Sequence, residues 1–159
     1  MAEKNDNKLT SFAKQQKESA EQILEYKKKA EASIVSMIYK QPDLLTETNL
    51  EITDFHDNLW KVYFEIARDL IINEKKTVLT EVVVSFYLDK HPKLSKKYDE
   101  YGGYGTIEAS DKYTDVENFY GYVDELRKWN AVIKLIKYGF PCDKKRISDL
   151  CDLQAEQIY

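Results

Sequence analysis

Apolar residues that recur three and four positions apart constrain this chain more than any other feature. Leu59, Trp60, Tyr63, Phe64, Ala67, Leu70 and Ile71 form one wide stripe at the helical period. A second long run, Val116, Phe119, Tyr120, Val123, Leu126, Trp129, Ile133 and Ile136, keeps the same spacing, and Val132 and Leu135 widen it in its second half. A helix apolar on more than one side touches more than one neighbour. Ala20, Ile23, Leu24, Ala30, Ile34, Met37 and Ile38 make a third period from Ser19. That helix stops before Pro42, which disfavours helical geometry at Gln41. The stretch Tyr26–Glu31 inside it is charged, so the first half of the helix is expected to stand in solvent.

The punctuation fits an all-α chain. Thr53-Asp54 offers a cap for the 59–71 stripe, and Asn73-Glu-Lys-Lys76 ends it. Residues 78–88 are rich in β-branched and aromatic residues, which favour a strand. No second strand candidate lies nearby to pair with it, so a buried helix capped by Thr80 and closed by His91-Pro92 is expected, with tertiary packing overriding propensity. Leu94–Tyr101 reads as a polar loop, Tyr101-Gly-Gly-Tyr-Gly105 as a tight turn, and Thr106–Ser110 as a short helix. Asp115 caps a long helix to about Tyr138, and Gly139-Phe-Pro141 breaks it. Asp143 then caps a helix carrying Ile147, Leu150, Cys151, Ala155 and Ile158 on one face. Two long helices joined by a short Gly/Pro turn make an antiparallel hairpin. The expected fold is therefore a globular helical head followed by a long antiparallel helical hairpin. Its parts are a flexible segment at 1–18, rich in Lys, Asn, Gln and Ser, a head at 19–112 and a hairpin at 113–159. Tyr159 falls in mid-helix, so the chain is expected to continue.

Charge and composition narrow the function. Residues 1–40 hold eight lysines against six acids, a balance of +2; residues 41–159 hold sixteen Lys/Arg against twenty-two acids, a balance of −6. An acidic body does not suit phosphate-backbone binding as the main task, so any contact with DNA is expected to be weak and salt-sensitive. Twelve Tyr and six Phe are many for 159 residues, and some are expected at a partner surface. Cys142 and Cys151 lack further Cys or His at ligand spacing, so no zinc site is expected. No phosphate-loop string of Gly, four residues and Gly-Lys-Ser/Thr occurs. His56 and His91 have no triad-like arrangement, and acids such as Glu65, Asp69 and Asp124 read as solvated helix faces beside residues such as Lys128. No catalytic, cofactor-binding or metal-ligating residue is assigned. No signal peptide begins at Met1 and no apolar run has the length of a membrane span, so a cytoplasmic location is expected.

Five motifs in order carry a resemblance. Glu31-Ala-Ser-Ile-Val-Ser-Met-Ile-Tyr leads to Gln41-Pro-Asp43; Ile52-Thr-Asp-Phe-His precedes Trp60-Lys-Val-Tyr-Phe-Glu-Ile; Gly102-Gly103 precedes a short helix; Asp115-Val-Glu-Asn-Phe-Tyr-Gly-Tyr-Val opens the long one. Over about residues 31–140 this resembles the N-terminal domain of DnaB-type replicative helicases, with Trp60 where that family commonly has His. The resemblance implies a collar domain that pairs with other copies through its hairpins as dimers and then a trimer of dimers. It also implies docking of primase and sometimes a helicase loader. ATP and Mg would belong to a separate RecA-like domain, absent here. Trp129, Val132, Ile133, Ile136, Phe140 and Ile147 are the candidate contacts for another subunit or primase, against the alternative that they zip the hairpin arms together. Two other readings stay open: a helicase-binding domain of the primase type, which would follow catalytic domains, and a stand-alone regulatory helical protein that binds DNA or replication proteins.

Overall fold

The structure, a computed structural model, describes residues 2–112 and 115–139. Among them are seven α-helices and no strand: α1 (Ala2–Lys40), α2 (Asp43–Thr46), α3 (Asn58–Arg68), α4 (Glu81–Asp89), α5 (Pro92–Glu100), α6 (Tyr104–Asp111) and α7 (Phe119–Lys137). Short 3-10 turns cover Ile52–Asp54 and Val116–Asn118, and a π turn covers Asp69–Asn73 at the end of α3. The all-helical expectation holds. The second hairpin arm, from Asp143, and with it Phe140 and Ile147, lies outside the described residues.

The chain divides into two compact units, Lys28–Val123 and Met1–Lys27 with Asp124–Tyr159. The first is a helical head. Its core includes Ile34, Val35, Met37 and Ile38 of α1, Phe55, Tyr63, Phe64, Ile66 and Ala67 around α3, and Val84 and Leu88 of α4. Phe55 stacks on Phe64 at 4.3 Å between centroids. The 59–71 stripe thus folds as read, but its start differs. Thr53-Asp54 lies in the 3-10 turn, where Asp54 Oδ2 accepts from the Glu51 N–H at 2.8 Å. The cap of α3 is Asp57, whose Oδ1 accepts from the N–H groups of Leu59 and Trp60. A carboxylate there satisfies donors that have no partner inside the helix.

Residues 78–88 resolve as expected: α4 starts at Glu81, and Thr80 Oγ1 accepts from the Val83 N–H at 3.3 Å. Leu94–Tyr101 does not stay a loop. All of it but Tyr101, the C-cap, belongs to α5, which begins on Pro92, so Pro92 opens a helix rather than only closing one. Proline fits the first helical position because the missing N–H would have no partner there. The head's glycine turn ends α5: the Gly103 N–H donates to Tyr98 O at 2.9 Å and the Gly102 N–H to Asp99 O at 3.1 Å. Gly102 has φ +103°, a left-handed conformation that an L side chain resists. Three phenols donate to main-chain carbonyls of this core, one within α3 and two in its connecting turns. Tyr39 Oη donates to Tyr63 O at 2.7 Å, Tyr63 Oη to Gly103 O at 2.7 Å and Tyr104 Oη to Leu79 O at 2.9 Å. Burial raises the Tyr39 pKa well above the usual tyrosine value, so the group stays a neutral donor.

In α1, helix begins at Ala2 rather than Ser19. Residues 2–18 hold Ala, Lys, Glu and Gln, good helix formers with no apolar period to reveal them. The first half is not all in solvent, for Ile23 is buried, and within the charged stretch Lys27 and Glu31 are buried too. Glu31 Oε1 accepts from the main-chain N–H groups of His56 and Asp57, at 2.5 and 3.4 Å. The carboxylate thereby serves the loop that leads into α3.

In the other unit, Ile23 of α1 packs with Trp129 and Val132 of α7. The acid beside Lys128 is Glu125 rather than Asp124: Lys128 Nζ lies 2.9 Å from Glu125 Oε1. Gly139 has φ +90° and its N–H donates to Ile136 O at 3.0 Å, which ends α7 where the sequence placed the break.

Candidate interaction surface

Trp129 and Val132 are each 2% exposed, covered together with Ile23. The Trp129 ring stacks on Tyr26 at 5.4 Å and 10° between planes. Its Nε1 donates to Glu125 Oε2 at 3.2 Å, and Lys128 Nζ lies 4.9 Å from its centroid. The apolar surface that widens α7 is thus taken up partly by α1. The sequence showed Ile23 in an apolar period but carried no sign of which helix that period packs on. Ile133 and Ile136 pack on the same cluster but stay partly exposed. Of the four candidate contacts among the described residues, these two keep apolar surface available.

The most exposed apolar side chains of the head are elsewhere. Val78 is 57% exposed, Val82 61% and Phe86 67%. Val82 and Phe86 stand one turn apart on α4, while Val84, Tyr87 and Leu88 face the core. Helix α4 is apolar on both sides, yet only one side is covered. Sequence reading placed the whole of 78–88 inside; it could not separate the faces because Val and Phe occupy both. Beside Phe86 is a groove of about 130 Å³, with Leu70, Val83 and Phe86 giving apolar walls and Glu74, Lys76 and Lys90 as its charged lining. It has room for a single large side chain.

Tyr87, which also lines the groove, donates through Oη to Asp69 Oδ2 at 2.6 Å, and Asn73 Nδ2 donates to Asp69 Oδ1 at 2.5 Å. The Tyr87 hydrogen bond, then that of Asn73, holds the Asp69 carboxyl below its usual range. Burial, then Asp69 itself, pushes the Tyr87 pKa up. His91 stacks on Tyr87 at 4.1 Å, and its Nδ1 lies 2.8 Å from Tyr87 O. His91 is thereby committed to the end of α4. Two further hollows, of about 380 and 240 Å³, adjoin at Arg68 and Ile72.

Among the described residues, no group of three or more His, Cys, Asp or Glu side chains is placed to hold a metal ion. None of the described helices is long and apolar enough to cross a membrane. No known protein family, curated protein or solved structure matches this chain.

Proposed function

We propose that this chain is a collar domain of a DnaB-type replicative helicase, a helical scaffold on which copies assemble and a primase docks. The observation that carries the reading is where the resembling motifs fall. Ile34, Ile38, Phe55, Trp60, Tyr63, Phe64, Phe119 and Val123 are all buried in one unit, and Gly102-Gly103 makes its positive-φ turn. Motif residues scattered over unrelated surfaces would not support a shared fold. An assembly role is further supported by the apolar surface left on α4 and by Ile133 and Ile136.

The test mixes the purified chain with the helicase-binding domain of the primase encoded in the same genome, and separately with a helicase collar. The collar reading expects co-elution with the primase domain and no ATP hydrolysis, with or without single-stranded DNA. Binding to the helicase collar in place of the primase domain, or DNA-stimulated ATP turnover, would overturn it.

A further inference from the structure

The α4 face combines two properties that a solvent-facing helix seldom has. It exposes Val82 and Phe86, with Val78 just ahead of the helix, and the groove beside Phe86 is bordered by two lysines, Lys76 and Lys90, against one acid, Glu74. Residues 41–112 hold nine Lys/Arg against fourteen acids, a balance of −5. Within them, residues 75–97 hold six lysines against Glu81 and Asp89, a balance of +4. Lys76 and Lys90 border the groove beside Phe86, and no ion pair among the described residues engages either of them. An occupant that fits brings one large apolar side chain flanked by acids.

This chain carries such a segment. On α1, Leu24 is 43% exposed, and Glu18, Glu21 and Glu25 stand exposed around it. Together they border one shallow, open hollow. We propose that a second copy of the chain docks head to tail on α4, with Leu24 seated against Phe86 and Val83, and Glu21 and Glu25 facing Lys76 and Lys90. The contact joins two different patches, so it is heterologous: each pair of copies leaves one groove and one acidic helix unfilled, and growth continues to a closed ring or an open chain. Three exposed side chains fall well short of the roughly 800 Å² per partner of a stable interface. The contact is therefore weak, concentration-dependent and sensitive to salt. The proposal deepens the assembly role above and rests on that reading in one respect, that copies assemble. Its test uses residues which that reading does not.

Sedimentation velocity on the full chain, over a range of concentrations at low and high salt, reads the contact. Two single variants are compared, Phe86→Asp in the groove and Leu24→Asp on the helix; both positions are exposed, and circular dichroism checks that each stays folded. Alone, each variant should lose self-association at least about tenfold, since a carboxylate placed against an apolar or acidic partner is costly to desolvate. Mixed in equal amounts they should form a dimer and nothing larger, because one intact groove meets one intact helix and the reciprocal contact is dead. Lys90→Glu should weaken association, and adding Glu25→Lys in the same chain should restore it. A wild-type chain that stays monomeric overturns the proposal, including the case in which it binds only an added acidic amphipathic peptide. So does association that neither variant disturbs, an outcome that leaves the collar reading and its Ile133 and Ile136 intact. A mixture that remains monomeric, or variants that each still dimerise, means a different contact and also overturns it.

Discussion

Replacing Ile23 by Ala tests the small cluster that includes Trp129. Ile23 is fully buried, and the substitution removes three carbons from a site shared with Trp129 and Val132. At about 0.8 kcal/mol per buried methylene-sized group, transfer alone costs roughly 2.4 kcal/mol. The void adds to this, but Ile133 and Ile136 at the margin can partly collapse into it, so about 3 kcal/mol is expected. The two tryptophans make the measurement specific, because Trp60 belongs to Lys28–Val123 and Trp129 to the other unit. Urea unfolding is followed by Trp129 fluorescence in a Trp60→Phe background, and by Trp60 fluorescence in a Trp129→Phe background. With a slope near 1 kcal/mol per molar for so small a unit, the Trp129 midpoint should drop by more than about 2 M. The Trp60 midpoint should move much less. An unmoved Trp129 transition would refute the packing of Ile23 on the ring. An equal shift at Trp60 would refute the division into two units.

Two further changes address the head. Gly102→Ala forces a side chain into φ +103° and brings its Cβ to 2.5 Å from Thr106 Oγ1, whose hydroxyl donates to Tyr101 O at 2.6 Å. A loss of about 2–3 kcal/mol in the Trp60 transition is expected, and a loss under about 0.5 kcal/mol would show that the turn can be remade. Tyr87→Phe removes the hydrogen bond that does most to keep Asp69 acidic. A depressed folded pKa contributes stability that is complete above the ordinary Asp value, near 3.9, and is lost as pH falls through the folded value. The variant should therefore be less stable at neutral pH, by about 1 kcal/mol because solvent reaches the carboxylate. Its stability should also fall less steeply below about pH 4. Parallel pH profiles for the two proteins would refute the role given to this pair.

Helices that bury a stripe were legible in the sequence, and helices held by something else were not. Helix α3 shows its period because Trp60, Tyr63, Phe64 and Ala67 all face one core. Helix α5 is anchored by Tyr98 as its one buried residue, so Pro-Lys-Leu-Ser-Lys-Lys reads as loop. The π turn at Asp69–Asn73 has no signature in single-residue preferences; there the Glu74 N–H donates to Asp69 O. Glu31 looked like a solvated charge because its partners, the N–H groups of His56 and Asp57, belong to a distant loop. At the surface, the apolar width of α7 was visible, but not that Ile23 helps to cover Trp129. The exposed side of α4 was hidden because both its sides read as core.

The three phenols that pin the head, Tyr39, Tyr63 and Tyr104, all donate to main-chain carbonyls. A carbonyl oxygen is present whatever the side chain, so the acceptors at positions 63, 79 and 103 carry no sequence requirement as acceptors. The segments around these acceptors can change their residues and keep their fastenings, provided the tyrosines and the positive-φ Gly103 stay. A head built this way can drift far in sequence while holding its shape. Its ancestry would then be written in a few aromatic positions rather than in continuous similarity along the chain.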